Sequence, residues 1–453
     1  MSNQRAPRVR LNGPTELVFE RADGSLEPLH PLWLRERCRD AASIDLRTQQ
    51  RLQDPSDFEL KLRVTGVTQP SPGVFQVSFS DGHQASFHAA DILEEAALAP
   101  NSHDCPQARL WDSQLTELPR ARWRADPGDE ELMSWLDSFL TLGFIIFEGV
   151  PSEPGMVLKV GARFGFTRET NFGALFNVRS TPDANDLAYT SLALDAHTDN
   201  PYRTPVPGIQ LLHCLVNETR GGLSTLVDGF AVAQALRARE PEAFRILSST
   251  PVRFKYIDVD TELTASAPPI ELDVTGGLKA IHFSPRVDYV PLYPATQLEA
   301  YYRARRELDH RLRGSDFEIR FLLKAGDLVM FDNCRLLHGR TGFDPAEGLR
   351  HLQGCYIDID GPRSLYRVLR RRRGRREAQR MSRVVSFRAM QDGTREDYLL
   401  LDESERAYAA GLADRVLGQL ARLDHTLEGD VAQFSVEEVL PLLGETIDLR
   451  VKR

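Results

Sequence analysis

The chain has 453 residues, of which 42% are hydrophobic and 27% are charged, and its formal net charge is −9. These proportions are those of an ordinary soluble globular protein. Because the length exceeds what one hydrophobic core usually supports, we expect roughly two or three domains. The negative net charge argues against nucleic acid or an anionic membrane surface as the main partner.

Neither export nor membrane insertion is expected. The first residues lack the apolar core of a signal peptide, and no stretch approaches the roughly 18 apolar residues of a membrane-spanning helix. The five cysteines have no paired spacing, which indicates reduced thiols. We therefore expect a cytoplasmic protein with neither a membrane nor a nucleic-acid partner.

Residues 1–98 have the pattern of a small β-rich domain, and 99–110 that of an irregular linker. Asp81 and Gly82 predict a hairpin turn between two alternating segments. The predicted strands are 15–20, 58–67, 73–79 and 84–87, and residues 32–38 are predicted to form a short helix or turn.

Residues 111–378 mix helices with many short strands, which favours a mainly β fold whose core is a jelly roll decorated by helices. Predicted helices are 128–142 and 231–240, and predicted strands are 143–147, 209–215, 224–227, 270–272, 278–283, 317–323, 327–331 and 350–356.

Residues 379–453 are predicted to form a helical appendage, with an amphipathic helix over 397–423 and a short helix plus a strand over 431–451. We expect this appendage to serve packing or dimerisation in a homodimer. Seven arginines precede it between Arg367 and Arg376. They indicate a solvated helix end or linker, and an anion-binding patch is the alternative.

His197 and Asp199 follow an apolar run, and on an extended strand their side chains point to the same face. One imidazole beside one carboxylate supplies two of the three groups of a 2-His-1-carboxylate site for non-haem Fe(II). His338, 139 residues further along, follows another predicted strand and is the candidate for the second imidazole. Taken alone, the His-x-Asp pattern also fits a surface turn.

Arg350 opens a predicted apolar strand, where a guanidinium is costly unless it pairs with an anion. Its planar donor fork suits a carboxylate, such as the distal one of 2-oxoglutarate. An internal salt bridge is the alternative.

Together these residues resemble the γ-butyrobetaine hydroxylase branch of the Fe(II)/2-oxoglutarate dioxygenases, within the taurine dioxygenase superfamily. The resemblance spans roughly residues 15–370. It is carried by Ala188-Tyr189-Thr190, His197-Thr198-Asp199, Gln210-Leu211-Leu212-His213-Cys214, Gly221-Gly222, Val227-Asp228-Gly229-Phe230, Leu337-His338-Gly339-Arg340 and Arg350-His351-Leu352-Gln353-Gly354.

The resemblance implies a double-stranded β-helix core in which His197, Asp199 and His338 bind Fe(II). It also implies 2-oxoglutarate and O2 as cosubstrates, with ascorbate as a supporting reductant, and Arg350 as the 2-oxoglutarate anchor. Ser224 lies where relatives place a hydroxyl near the cosubstrate, although a plain strand serine fits equally.

In that branch the substrate is a small trimethylammonium zwitterion held by an aromatic cage. Asp186 occupies the place of a carboxylate-binding asparagine, where it would repel a substrate carboxylate and attract the ammonium. An aromatic core with a surface aspartate is the alternative. The positions that match the cage are Phe172, Phe176, Tyr189 and Tyr356.

The segment from His197 to Arg203 resembles the 2-(trimethylamino)ethylphosphonate dioxygenases. Asn200, Tyr202 and Arg286 would donate hydrogen bonds to a phosphonate, although Arg286 also fits a surface salt bridge. We therefore favour hydroxylation of that phosphonate at the carbon bearing phosphorus. The alternatives are γ-butyrobetaine hydroxylation, trimethyllysine hydroxylation and a non-catalytic quaternary-ammonium-binding protein.

The first domain departs from its relatives, which bind structural zinc with three cysteines and a histidine. Cys38 and His83 match two of those positions, whereas Asp40 and Ser43 stand at the others. Serine is a poor zinc ligand, so we predict no zinc here.

Overall fold

The computed structural model describes residues 7–97, 105–179, 190–385, 431–433 and 450–452. Contacts divide the chain into two compact units, Met1–Gln107 and Ala108–Arg453. Asp186, Tyr189 and the helix predicted over 397–423 lie outside the described residues, as does most of the predicted appendage. The predicted domain boundaries therefore stay a prediction.

The first unit contains two three-stranded antiparallel sheets, β1-β2-β3 and β4-β5-β6. In β5, Phe75, Val77 and Phe79 are buried, as period-two alternation requires. The strand predicted over 58–67 is wrong at its start, because a turn closed by Leu62 N–H to Glu59 C=O precedes it. The elements are β1 (Arg8–Leu11), β2 (Leu17–Glu20), β3 (Leu26–Pro28), α1 (Pro31–Glu36), β4 (Val64–Ser71), β5 (Val74–Phe79), β6 (Gln84–His88) and α2 (Ala89–Ala97).

The second unit contains the other described helices and strands. Its helices are α3 (Asp129–Leu142), α4 (Met156–Phe164), α5 (Gly229–Arg239), α6 (Pro241–Ser249), α7 (Ala295–Arg313) and α8 (Asp360–Val385). Its strands are β7 (Arg120–Arg122), β8 (Phe144–Glu148), β9 (Thr167–Arg168), β10 (Phe176–Arg179), β11 (Leu194–His197), β12 (Ile209–Asn217), β13 (Ser224–Asp228), β14 (Val252–Ile257), β15 (Glu262–Ala267), β16 (Ile270–Leu272), β17 (Leu278–Ile281), β18 (Asp288–Tyr289), β19 (Glu318–Phe321), β20 (Leu328–Asp332), β21 (Leu336–Arg340), β22 (Arg350–Ile357), β23 (Val431–Gln433) and β24 (Arg450–Lys452).

Two facing sheets form the centre of this unit. The larger has the order β10-β22-β12-β20-β8-β7 with β9 paired to β22, and the smaller has the order β11-β21-β13-β19. Phe144 and Phe331 of the larger sheet pack with Leu226 and Leu336 of the smaller one. The opposite face of the smaller sheet is covered by α5, α6 and α7. This confirms the predicted mainly β fold with helices around a jelly-roll core.

The arginine-rich stretch belongs to one helix, α8. Arg372 and Arg373 lie 3.8 and 3.9 Å from the carboxylates of Asp129 and Glu130, in the acidic first turn of α3. These two arginines therefore have carboxylate partners within the protein, which supports the helix interpretation. No helix among the described residues is long and apolar enough to cross a bilayer.

Candidate metal and substrate site

The smaller sheet brings the three predicted metal ligands together. Strand β11 pairs with β21 so that His197 lies opposite His338. His197 Nε2 is 3.4 Å from Asp199 Oδ1, and His338 Nε2 is 3.8 Å from Asp199 Oδ2. The candidate ligand atoms of the three residues all lie within 4.8 Å of one another. Two imidazoles and one carboxylate at this spacing fit a non-haem Fe(II) centre with open coordination positions.

Asp199 is not on the strand, contrary to the sequence prediction. Strand β11 ends at His197, and Asp199 lies in the bend that follows. Two backbone N–H groups of this segment find partners outside strand pairing. Thr198 N–H donates to Phe283 C=O at 2.7 Å, and Asp199 N–H donates to the side-chain oxygen Oδ1 of Asn333 at 2.8 Å. The carboxylate is therefore aligned by tertiary hydrogen bonds rather than by strand alternation.

The His197 ring is oriented by a backbone contact. Its Nδ1 lies 2.8 Å from the Asp195 carbonyl, so Nδ1 is assigned the proton and Nε2 is left as the ligand atom. The Asp195 carboxylate is itself paired with Arg313 at the end of α7. Helix α7 is thereby attached to the strand that carries His197.

The protonation states of His338 and Asp199 match those of a metal site. Burial, followed by the charge of His197, lowers the pKa of His338 to about 3, so its imidazole is neutral near pH 7. Burial acts to raise the pKa of Asp199, but the neighbouring histidines and the Tyr356 hydroxyl outweigh it and hold that pKa well below its ordinary value. Neutral imidazoles and an ionised carboxylate are the forms that bind a divalent metal.

The Tyr356 hydroxyl contacts Asp199, one of the three candidate metal ligands. Burial and the nearby Asp199 carboxylate raise the pKa of Tyr356 well above its ordinary value, so the hydroxyl remains protonated. It donates to Asp199 Oδ2 at 2.7 Å. The ring of Phe176 packs against Tyr356 with centroids 5.1 Å apart, which places an aromatic pair beside the cluster.

A second aromatic group contains one residue that the sequence did not predict. Tyr256, on β14, stacks on Tyr202 at 5.0 Å between centroids and meets Phe172 edge-on at 5.7 Å. Its only sequence signal was the period-two pattern of Val252, Phe254 and Tyr256, which also fits any half-buried strand. Three aromatic side chains therefore form one continuous surface.

Asn200 carries a buried amide next to the candidate metal ligand. Its backbone is left-handed, with φ +54°, and the residue is 4% exposed. Its Oδ1 accepts the Tyr202 hydroxyl at 2.7 Å, and its Nδ2, which completes no hydrogen bond of good geometry among the described residues, lies close enough to the Tyr356 hydroxyl to act on it. A buried donor whose hydrogen bond is poorly formed is available to another acceptor, so this amide is a candidate for binding an oxygen of a ligand.

Arg350 is 5% exposed at the start of β22. Its Nη2 donates to Gly222 C=O at 3.2 Å, and its Nε is buried without a partner within the described part of the chain. Burial lowers the pKa of Arg350, and no carboxylate of the described residues acts against that shift. The internal salt bridge considered from the sequence is thus not found there, and the geometry suits an anionic ligand.

Two other predicted residues have less defined surroundings. Ser224 begins β13, opposite Arg340, two residues from the Leu226–His338 pair and on the same face of the sheet. Arg286 is exposed, and its charge acts on His338, where it helps to lower the pKa of that imidazole. Asp186 and Tyr189 lie outside the described residues.

If Arg350 anchors 2-oxoglutarate, as the resemblance implies, replacing Gly222 by alanine should weaken 2-oxoglutarate binding. Gly222 has φ +66°, and a Cβ there would lie 2.7 Å from Arg350 Nε and 3.0 Å from its Cδ. Since a charge-assisted hydrogen bond contributes about 1.5–3 kcal/mol, displacing the guanidinium should raise the KM for 2-oxoglutarate about tenfold or more. Succinate formation against 2-oxoglutarate concentration measures this.

Gly276→Ala is the matched control for that variant. Gly276 has φ +83° and no atom within 4 Å of its added Cβ, so it tests backbone strain without contact to Arg350. Equal KM changes in both variants would contradict the assignment of Arg350.

A second cluster lies in the first unit, where Cys38, Asp40 and His83 place candidate ligand atoms within 4.8 Å of one another. His83 Nε2 is 2.9 Å from Asp40 Oδ2, and the Ser43 hydroxyl donates to Asp40 at 3.1 Å. Burial raises the pKa of Cys38 to about 12, which disfavours the thiolate that zinc requires. The expected lack of zinc stays a prediction, and metal analysis of the purified protein tests it.

Residues 114–356 match the sequence profile described as "Taurine catabolism dioxygenase TauD, TfdA family". Over 354 residues the chain is 38% identical to the gamma-butyrobetaine dioxygenase of Pseudomonas sp. (strain AK-1). The aligned region covers 77% of this chain and 92% of that relative. Over 350 residues it is 31% identical to the mitochondrial trimethyllysine dioxygenase of Rattus norvegicus, covering 75% and 82%.

Among solved structures, the chain is similar to a putative alpha-ketoglutarate-dependent taurine dioxygenase from Burkholderia xenovorans, with 15% identity and a TM-score of 0.42 over 56% of this chain and 94% of that one. The sequence relatives, by contrast, extend over about three quarters of this chain. The sequence similarity is therefore not confined to the metal-binding motif.

Proposed function

Because the chain belongs to the taurine catabolism dioxygenase TauD, TfdA family and is a non-haem Fe(II)- and 2-oxoglutarate-dependent dioxygenase, we propose that it hydroxylates a small trimethylammonium zwitterion. The substrate that we favour is 2-(trimethylamino)ethylphosphonate, hydroxylated at the carbon bearing phosphorus. The family membership confirms the resemblance drawn from the motifs; the choice of substrate is our proposal.

Bound Fe(II), with 2-oxoglutarate and O2, supplies the oxidising power for hydroxylation, with succinate and CO2 as coproducts. In our proposal His197, Asp199 and His338 hold the metal, and Arg350 binds the distal carboxylate of 2-oxoglutarate. The remaining pocket residues determine which C–H bond is presented, since orientation of the substrate is what the protein adds to metal chemistry.

The ammonium end is assigned to the aromatic side chains. A trimethylammonium group has no N–H donors, so it is bound by ring faces and carboxylates, with each ring contributing about 0.5–2 kcal/mol. Tyr356 and Phe176 are in contact with each other, and the Tyr356 hydroxyl contacts Asp199, which supports a cation site close to the metal. The proposed cage is completed by Phe172 and Tyr189, with Asp186 as a supporting anion.

The acidic end is assigned to donors next to Asp199. The observation that carries this assignment is the Asn200 amide, whose buried Nδ2 completes no hydrogen bond of good geometry among the described residues. Tyr202 fixes the other end of that amide, and the charge of Arg286 is near enough to act on His338. A dianionic phosphonate offers three acceptor oxygens to such donors, and a carboxylate offers two.

γ-Butyrobetaine is the second candidate, and the 38% identity to a gamma-butyrobetaine dioxygenase favours it. The direct test incubates the Fe(II)-loaded enzyme with 2-oxoglutarate, O2 and, separately, the phosphonate, γ-butyrobetaine and trimethyllysine. Mass spectrometry then follows the succinate and the hydroxylated product. Product from the phosphonate at the highest kcat/KM is expected, whereas succinate without any hydroxylated product would support the non-catalytic binding alternative.

Arg286→Ala should separate the two substrates. Losing a charge-assisted contact costs about 1.5–3 kcal/mol, so we expect kcat/KM for the phosphonate to fall about 10- to 100-fold. The value for γ-butyrobetaine should change by less than about threefold if the smaller carboxylate does not depend on this arginine. Arg239→Ala, an exposed arginine on α5, is the control, and equal losses with both substrates would refute the phosphonate role of Arg286.

A further inference from the structure

Asn333 is a fully buried amide in the turn between β20 and β21, with 0% exposure. Its Oδ1 accepts the Asp199 N–H at 2.8 Å, and its Nδ2 donates to the Asp199 carbonyl at 2.9 Å and to the Pro207 carbonyl at 3.0 Å. Its own backbone N–H donates to Gly208 C=O at 2.9 Å. The side-chain amide thus uses both of its N–H donors and its carbonyl.

These contacts replace the backbone hydrogen bonds that strand pairing would otherwise supply to Asp199. Strand β11 stops at His197, two residues before Asp199, so the backbone groups of Asp199 need other partners. Asn333 satisfies both of them at once. Asn333 lies five residues before His338. It therefore also joins the segment that carries His338 to the bend that carries Asp199.

The same contacts constrain the residue after Asp199. Asn200 has a left-handed backbone, which asparagine adopts more readily than most non-glycine residues. Asn333 holds the backbone just before this residue, at the Asp199 carbonyl, and seven residues after it, at the Pro207 carbonyl. Asn333 therefore helps to fix the backbone that carries the Asn200 amide, whose Oδ1 is held by the Tyr202 hydroxyl.

We infer that Asn333 is a positioning residue, which sets the Asp199 carboxylate in the metal site and the Asn200 amide in the substrate pocket. This inference rests on the proposed function in taking Asp199 as a metal ligand and Asn200 as a substrate-binding residue, and the experiment below tests the first of these. An aspartate at this position has the same shape but no N–H groups, so it would set an acceptor against two carbonyl oxygens.

Asn333→Asp tests this with a readout that does not need turnover. Co(II) is titrated into the metal-free full-length enzyme, and its visible spectrum reports both affinity and ligand geometry. Because disrupting the groups that orient metal ligands typically costs 10–100-fold in affinity, we expect the Co(II) Kd to rise about tenfold or more, with an altered spectrum. Asn333→Ser, which is smaller and adds no carboxylate, should show the same direction of change.

Gln353→Glu is the matched control, because it also replaces a buried side-chain amide by a carboxylate. The Gln353 amide bonds to Gly155 and Asn177, and neither of these is a candidate metal ligand. Its Co(II) Kd should stay within about twofold of the wild type.

Circular dichroism checks folding, and if Asn333→Asp does not fold, Asn333→Ser decides the question. Wild-type affinity and spectrum in a folded Asn333 variant would overturn the inference. Failure of the wild type itself to bind Co(II) would instead overturn the metal site.

Discussion

Replacing His338 by alanine is expected to lower hydroxylation at least about a hundredfold and to release iron from the protein. Loss of a group that only orients a metal ligand already costs about 10–100-fold, and His338 would be a ligand itself. The two remaining groups, His197 and Asp199, lie on one segment. Neither of them can replace the ligand that His338 would supply from the paired strand β21. Iron content per chain and the rate of succinate formation measure the two effects.

The control for this variant is His310→Ala, which removes an exposed imidazole from α7 and should leave both quantities unchanged. Circular dichroism should show that the His338 variant is folded, since β21 retains its pairing with β13 and β11. Iron bound one-to-one with normal turnover in the His338 variant would show that the metal is held elsewhere.

The candidate metal ligands were identified from the sequence by combining a weak local pattern with a family resemblance. A histidine two residues before an aspartate also fits a surface turn, and it was the further motifs shared with the γ-butyrobetaine hydroxylase branch that made His338 the third candidate. Arg350 was singled out because a guanidinium in an apolar strand requires an anion, a requirement that an internal salt bridge would also have met. The cost of burial therefore marked Arg350, whereas the metal ligands depended on the resemblance.

The contacts that hold the site in place were not predictable in this way. Asn333 is one amide in a turn, and nothing local distinguishes it from the many asparagines that end strands. Its role appears only when the bend at Asp199 is brought against it by the pairing of β11 with β21. Tyr256 was missed for the same reason, because its contact with Tyr202 joins segments that are more than fifty residues apart.

The interior of the second unit also contains an ion pair that the sequence does not reveal. Arg335 and Asp228 are 2% and 0% exposed, and Arg335 Nη2 lies 2.7 Å from Asp228 Oδ2. Arg335 donates further to the carbonyls of Thr141 and Arg109 at 3.0 and 2.7 Å. Asp228 also accepts the N–H of Phe230 and so caps the start of α5. The pair therefore joins the end of β13 and the turn before β21 to α3 and to the start of α5.

Replacing Arg335 by alanine should lower the free energy of unfolding by about 3–5 kcal/mol, because it leaves the Asp228 carboxylate buried without its cation and two carbonyls without their donors. Urea unfolding followed by circular dichroism measures the change. Arg245→Ala, which breaks an exposed i,i+3 pair with Glu242, should change the stability far less, because solvent screens an exposed ion pair. Since Arg335 lies three residues before His338, the same variant should also weaken metal binding. A loss of stability no larger than that of Arg245→Ala would mean that Asp228 finds enough donors in its cap and in the Trp111 N–H, 3.2 Å away, without the arginine.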